Sequence, residues 1–358
     1  MARQDKKGGL SPASVGASVR VSCLSNLLEL GLIETWALGL QMHEGLEAAP
    51  WPELSYAAWK DTYATLHLWA QIVGKIRLAQ TPWVNHSWHV TLYVSPHGLT
   101  TSSIPYGQRS FELEFDFLKH VLRASNDQGS VREVPLVLRA VAEFYAAVVQ
   151  ALSELGIAVR IYDMPNEIPD PIRFTEDYTH ASYDAEYAQR FWRILLQVDR
   201  VLHEFRTAFI GKCSPVHFFW GSFDLAVTRF SGRRAPLHPG GVPFLPDRVT
   251  QEAYSHEVSS AGFWPGTKGV LEEPAFYSYA YPEPPGFSSA IVQPSQAYYH
   301  DTFSEYVLPY EAIRTAKEPD GVLMGFLMST YEAAANNAKW DREALETSIG
   351  VPGKPRAL

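Results

Sequence analysis

The feature that most constrains the fold is a change in hydrophobic spacing along the first part of the chain. Apolar and aromatic side chains recur at three- and four-residue intervals from Tyr56 to about Leu78, which is typical of an amphipathic helix. Pro82 ends this pattern because proline cannot continue a helix. Apolar and acidic residues then alternate from Phe111 to Phe117, which is typical of a strand with one buried face. These two periods predict an α+β protein with antiparallel sheets.

The same order of elements occurs twice. A second helix pattern runs from about Asp184 to Phe209 and is followed by Pro215, much as the first is followed by Pro82. A valine and a strand pattern come after each of these prolines. We therefore predict two related helix–strands–helix halves, which could have arisen by duplication. Coincidence between generic α+β elements is the competing interpretation.

Changes in composition and in hydrophobic spacing along the chain set the limits of the predicted segments. Residues 1–20 are polar and aperiodic and are expected to be disordered, whereas Leu24–Met42 could form a helix. Helices near Glu305–Thr315 and Gly321–Asn337 are expected to complete the fold. The predicted segments are a partly disordered N-terminal extension at 1–50, a first α+β half at 51–165, a second at 166–340 and a C-terminal tail at 341–358.

The composition narrows the classes of function. The formal net charge is -9, so the chain lacks the basic character of nucleic-acid-binding proteins. No stretch reaches the roughly 18 uninterrupted apolar residues of a membrane span. Two cysteines, Cys23 and Cys213, cannot build a disulfide framework, which favours a soluble protein of the reducing cytoplasm. Small molecules are the expected partners, and the oligomeric state stays open.

Familiar catalytic motifs are missing from the sequence. It contains no glycine-rich dinucleotide or phosphate loop, no H-E-x-x-H helix and no G-x-S-x-G elbow. These absences argue against nucleotide-binding folds, zincins and α/β-hydrolases. A site assembled from dispersed residues is still compatible with the sequence.

Histidines supply the candidate metal ligands. His86 and His217 both follow a valine just after a helix-ending proline, so related halves would bring them together in a common cavity. His89 could share an ion with His86 only in a turn, since residues three apart face opposite sides of a strand. Ordinary packing among tryptophans is the alternative. The predicted ligands of a divalent metal are His86, His89, His217, His256 and Glu257.

Three residues are candidates for catalysis. His217 could act as an acid or base near neutral pH. Asp224 would share a strand face with Thr228 and could line a polar cavity, although a solvent-facing strand is the simpler interpretation. Arg190 could clamp a carboxylate or a phosphate, whereas most such arginines form surface salt bridges. We therefore assign provisional catalytic roles to His217, Asp224 and Arg190.

Two long stretches, Trp59–Trp69 and Gly211–Asp224, resemble an uncharacterised bacterial family of unknown function, DUF5996. The resemblance covers about Trp51 to Trp340, which implies that residues 1–50 lie outside the family domain. It implies no activity, cofactor or site residue.

Two functions from different classes fit these observations. The first is a metal-dependent enzyme that acts on a small organic substrate at a site between the two halves. The second is a non-catalytic protein that binds a small molecule in an aromatic-lined pocket, which suits a chain with 13% aromatic residues. Shared metal ligation by His217 and either His86 or His89 would favour the enzyme, and a purely packed His217 would favour the binding protein.

Overall fold

A computed structural model describes residues 49–242 and 244–356 of this chain. The predicted helix at Leu24–Met42 and the predicted disordered segment at 1–20 lie outside the described residues. The boundary between the proposed halves near residue 165 stays a prediction.

Two long helices carry most of the helical core, as their patterns predict. The first is buried on all sides over 66–77 and not along a single stripe, because other helices and a strand of the first sheet pack against it. The second begins where the Asp184 carboxylate accepts the backbone N–H groups of Glu186 and Tyr187, a side-chain N-cap. The helices are α1 (Tyr56–Gln80), α2 (Val141–Glu154), α3 (Ala185–Thr207), α4 (Asp247–Ala253), α5 (Tyr310–Arg314), α6 (Pro319–Asn337) and α7 (Arg342–Leu345).

The first sheet is antiparallel throughout, with strand order β1-β2-β4-β5-β6 and β3 paired to β4. Its strands are β1 (Tyr93–Val94), β2 (Gly98–Thr100), β3 (Ile104–Tyr106), β4 (Arg109–Asp116), β5 (Val121–Asn126) and β6 (Val131–Pro135).

The second sheet is also antiparallel, with strand order β11-β12-β10-β9-β8-β7. Its strands are β7 (His217–Phe219), β8 (Asp224–Arg234), β9 (His256–Trp264), β10 (Ala275–Tyr281), β11 (Tyr298–His300) and β12 (Glu305–Pro309). Two antiparallel sheets with packed helices confirm the predicted α+β class.

The alternation predicted for β4 is confirmed, with one exception. Phe111, Leu113 and Phe115 are at most 2% exposed and face the core. Asp116 was expected on the polar face but is buried as well. Its carboxylate accepts the backbone N–H groups that follow it at 118 and 119, and so closes the turn into β5.

The prediction of a continuous helix over Glu305–Thr315 is wrong. The chain forms strand β12 first and turns into the short helix α5 only at Tyr310. Tyr306, Val307 and Leu308 are bulky or β-branched and almost fully buried, and pairing with β10 and β11 overrides the helical spacing.

The two sheets meet edge to edge. Leu92, just before β1, exchanges two backbone hydrogen bonds of 2.9 and 2.8 Å with Phe218 in β7. The two sheets are therefore joined through β1, the first strand after α1, and β7, the first strand after α3. This arrangement is compatible with duplicated halves, which remain a prediction.

None of the helices in the described part of the chain is both long and apolar enough to cross a membrane.

We predict that Gly74→Ala lowers the free energy of unfolding by about 1–3 kcal/mol, although alanine is the better helix former. A Cβ at Gly74, in α1, would lie 2.2 Å from the indole of Trp220, which also donates a hydrogen bond to the Val90 carbonyl. Gly325→Ala in α6 is the matched control, since its Cβ would come no closer than 3.8 Å to a neighbouring atom. Urea denaturation measures both. A Gly74→Ala variant as stable as the control would contradict this packing.

Candidate functional site

A cleft of about 1420 Å³ opens between α1, the irregular segment 157–184 and the second sheet. Its wall combines acidic and aromatic side chains and contains no arginine among the described residues. The acidic side chains are Asp61, Glu167, Asp170, Asp177, Asp224, Glu272 and Glu305, and the aromatic ones include Tyr56, Tyr63, Tyr254, Trp264, Tyr277, Tyr279 and Phe303.

Asp224 lies at the centre of the polar contacts in this cleft. It opens β8 directly after Phe223, whose φ of +62° makes the tight turn out of β7. The Ser222 hydroxyl donates to one carboxylate oxygen and the Tyr277 hydroxyl donates to the other. Burial raises the pKa of Asp224, and these two hydrogen bonds act in the opposite direction.

Gly262 makes the contact between Tyr277 and Asp224 possible. It pairs with Tyr277 across β9 and β10, and a Cβ on it would lie 2.6 Å from the tyrosine hydroxyl oxygen. Without that side chain, the phenol can lie across the strand and reach the Asp224 carboxylate. A glycine inside a central strand here leaves room for a functional side chain.

Glu167 comes from the irregular segment and has a φ of +59°, a conformation that non-glycine residues rarely adopt. Its carboxylate packs against the backbone of Gly221, where a Cβ would lie 2.0 Å from Oε1. Burial first, and then the neighbouring Asp224 carboxylate, raise the pKa of Glu167 to about 7. The left-handed backbone of Glu167 and the absence of a side chain at Gly221 thus allow this acid to lie close to Asp224.

Three side chains of α1 position this wall of the cleft. The Gln71 side chain exchanges two 2.8 Å hydrogen bonds with the backbone of Asn166, the residue before Glu167. Lys75 donates to the Asn166 side-chain carbonyl. His67 lies 2.9 Å from the Gly221 carbonyl through Nε2, so that nitrogen carries the hydrogen.

Glu305 begins β12 and completes the acidic group. Burial, followed by the charge on Asp224, raises the pKa of Glu305 to about 8. In residues 49–242 and 244–356, the carboxyl groups of Glu167 and Glu305 form neither a hydrogen bond nor an ion pair. Both groups therefore line the cleft with their hydrogen-bonding capacity unused.

Tyrosine hydroxyls form the rest of the polar surface. Tyr254 and Tyr279 share a hydrogen bond of 2.8 Å, and Tyr63 lies 3.0 Å from the Thr267 hydroxyl. Burial raises the pKa of Tyr279 to about 12, so it stays neutral and can donate or accept hydrogen bonds.

Of the three predicted catalytic residues, only Asp224 lines the cleft. His217 is 1% exposed beside the rings of Trp88 and Phe219, and neither ring nitrogen has a hydrogen-bond partner in the described structure. Burial lowers the pKa of His217 to about 3, so its ring is neutral. Arg190 is on the outer face of α3 and pairs with Glu186 one turn earlier.

The five predicted metal ligands do not converge on one point. His86 and His256 have ring centroids 6.2 Å apart, whereas His89 contacts the backbone of Val84 and Glu257 forms an ion pair with Arg233. In the part of the chain that the structure describes, no three His, Cys, Asp or Glu side chains are arranged to hold a metal ion. The predicted metal site gains no support from this geometry.

Residues 51–347 match the model of a family of unknown function, DUF5996. The chain belongs to the DUF5996 family. No curated protein matches it, and no solved structure matches it either. The match confirms the resemblance drawn from Trp59–Trp69 and Gly211–Asp224.

Two acids of the DUF5996 cleft, Glu167 and Glu305, were missed by sequence reasoning. Glu167 lies in a proline-rich stretch without periodicity, which reads as a linker. Glu305 was assigned to a helix, which removed it from the sheet that forms the cleft. Tyr277 and Tyr279, two apart on one strand face, were the available signal for a polar wall.

We predict that Glu305→Gln stabilises the DUF5996 domain above pH 8 by about 2–5 kcal/mol, the lower value allowing for solvent screening of this partly exposed group, and has little effect below pH 4.5. The unfolded chain loses this proton near pH 4.5 and the folded chain near pH 8, so the folded state binds more protons between these values and is destabilised as pH rises. Thermal unfolding as a function of pH measures the effect, with the exposed Glu343→Gln as control. A variant less stable than the parent at high pH would show that Glu305 is favourably ionised.

Proposed function

We propose that this protein binds a small organic cation, an amine or a quaternary ammonium compound, in the cleft around Asp224. One observation supports the proposal above all: Glu167 and Glu305 both lie near Asp224 in an aromatic-walled cleft, and no basic side chain of the described residues forms an ion pair with either of them. This is the binding-protein interpretation of the sequence, with the charge of the ligand now specified.

The charge of the cleft favours a positive ligand. Among the residues that the structure describes, its wall contains seven carboxyl groups and two lysines, Lys60 and Lys268, and both lysines are exposed to solvent. Buried carboxylates without partners are costly, so they either keep a proton or bind a cation. An ammonium group between Glu167, Asp224 and Glu305 would offset that cost directly.

The aromatic wall suits the same ligand. Tyr254, Tyr277 and Trp264 present rings to the cleft, and aromatic faces attract ammonium groups through their quadrupole. The tyrosine hydroxyls can in addition accept hydrogen bonds from a primary amine. A neutral or anionic ligand would leave the carboxyl groups without compensation.

Proton release is the expected signature of binding. The pKa values of Glu167 and Glu305 are about 7 and about 8, so these two carboxyl groups are partly protonated near neutral pH in the free protein. A bound cation favours the ionised carboxylates and lowers their pKa values. Binding should therefore displace protons into the buffer.

A second function, acid–base catalysis without a metal, is favoured by one specific observation. Glu167 and Glu305 have pKa values close to neutrality, which suits general acids and bases. Asp224, held by Ser222 and Tyr277, could orient the substrate. The metal-dependent enzyme expected from the sequence gains no support from the described residues.

Calorimetric titration with matched ligands tests the proposal. We expect primary and quaternary phenylalkylamines to bind and their neutral alcohol isosteres to bind at least about tenfold more weakly, a difference of about 1.4 kcal/mol. Titrations in two buffers of different ionisation enthalpy should reveal proton release with the amines. Glu167→Gln and Glu305→Gln should each reduce both the affinity and the number of protons released.

Glu343→Gln is the matched control, because it removes an exposed carboxylate on α7 that lies outside the cleft. It should bind the amines like the parent protein. Equal affinity for the amines and the alcohols, or binding without any proton release, would contradict the cation proposal.

A further inference from the structure

A second polar site lies outside the cleft, where the loop after α3 meets the 3₁₀ turn at Asn85–Ser87. Lys212 is exposed on this loop, and its Nζ lies 2.5 Å from Nε2 of His86. His86 is only 4% exposed and has a φ of +60°, a left-handed conformation that is rare outside glycine. The fold thus holds a buried imidazole against an accessible amine.

The tautomer of His86 follows from its other contact. Nδ1 lies 2.8 Å from the carbonyl oxygen of Ala253, at the end of α4, and a carbonyl can only accept a hydrogen bond. Nδ1 therefore carries the hydrogen, and in the neutral ring Nε2 has a free lone pair. That lone pair faces the amine of Lys212, so His86 is placed as a proton acceptor for it.

Burial supports the neutral state of this imidazole. Burial lowers the pKa of His86, and the nearby charge of Lys212 and the ring of His256 act in the same direction. The Ala253 carbonyl and Glu252 act in the opposite direction and do not outweigh burial. His86 is consequently available as a base at neutral pH.

The surroundings of the amine differ from those of an ordinary surface lysine. Lys212 Nζ lies 4.8 Å from the ring centroid of Phe230 and 5.3 Å from that of Trp88. It forms no ion pair with a carboxylate in the described part of the chain, and partial desolvation lowers its pKa. In the described residues no carboxylate stabilises the ammonium form of this nitrogen, and an imidazole is placed to accept the proton that the nitrogen loses after attack on an acyl group.

We propose that Lys212 is a site of covalent acylation, with His86 as its base and an activated acyl compound, an acyl phosphate or a thioester, as the donor. The neutral amine of Lys212 attacks the acyl carbonyl, and a C–N bond forms as the bond to the phosphate or thiolate leaving group breaks. Nε2 of His86 takes the proton that the nitrogen loses. The products are an amide on Lys212, the free leaving group and a proton that passes to solvent.

This step concerns residues outside the wall of the cleft and does not depend on the ligand proposed for it. Two exposed lysines serve as internal references, Lys119 and Lys317, because neither side chain contacts a base in the described structure. Each molecule of protein therefore contains both the test site and its controls.

Site-resolved mass spectrometry of the full chain tests the proposal. The protein is treated with limiting acetyl phosphate in one arm and with an acetyl thioester in the other, and the rate of acetylation is measured at each lysine. We expect Lys212 to react at least about tenfold faster than Lys119 and Lys317 in at least one arm. Rates at Lys212 no higher than those of the reference lysines in both arms would overturn the proposal.

The His86→Gln variant tests whether the reactivity of Lys212 depends on His86 as a base or only on the exposure of Lys212 to solvent. Glutamine can still donate a hydrogen bond to the Ala253 carbonyl but has no basic nitrogen. In this variant, the rate at Lys212 should fall to that of the reference lysines, which should not change. A folded variant, checked by circular dichroism, that acetylates Lys212 at the parent rate would overturn the role of His86. If the variant does not fold, the rate comparison within the parent protein decides alone.

Discussion

The complete burial of α1 over residues 66–77 determines how the candidate site is built. This part of the helix has no solvent side, so its polar groups need partners within the protein. Gln71 and Lys75 satisfy this requirement by bonding to Asn166, on a segment that has no secondary structure of its own. The same contacts fix the next residue, Glu167, in the wall of the cleft. The contacts that satisfy the buried polar groups of α1 are therefore the same contacts that position Glu167 in the cleft.

The second sheet provides the other half of this arrangement. Its edge strand β7 continues the first sheet through the backbone pairing of Leu92 and Phe218, and the turn into β8 presents Asp224 to the cleft. Two glycines, Gly221 and Gly262, leave the space in which a carboxyl and a phenol approach the strands. These two glycines therefore allow Glu167 and Tyr277 to approach Asp224. Burial of several carboxyl groups close together is unfavourable, and a cationic ligand would offset that cost.

Sequence patterns predicted the parts of the fold that depend on periodicity. The alternation in β4 and the spacing in α3 identified a strand and a helix because each reflects burial of one face or stripe. The spacing in α1 also identified a helix, although 66–77 are buried on every side. Asp224 was identified for the same reason, as a polar residue on a strand. Glu167 and Glu305 were not, since the first depends on a left-handed backbone in an aperiodic segment and the second on strand pairing that overrides helical spacing. For His217, the sequence pattern predicted a functional residue that the fold does not place in the cleft. The similar positions of His86 and His217 after a proline suggested a shared site, but His217 is buried outside the cleft.

The central claim is that the three carboxyl groups of Glu167, Asp224 and Glu305 cannot all be ionised in the free protein. Difference infrared spectroscopy tests it most directly, because the carbonyl stretch of a protonated carboxyl group is separate from the bands of a carboxylate. At neutral pH, the spectrum should contain a protonated-carboxyl band that weakens in the Glu305→Gln variant, where Glu167 keeps part of it, and that disappears when a phenylalkylamine is added to the parent protein. A parent spectrum with no such band at neutral pH would mean that all three acids are ionised without a ligand, and would contradict the account.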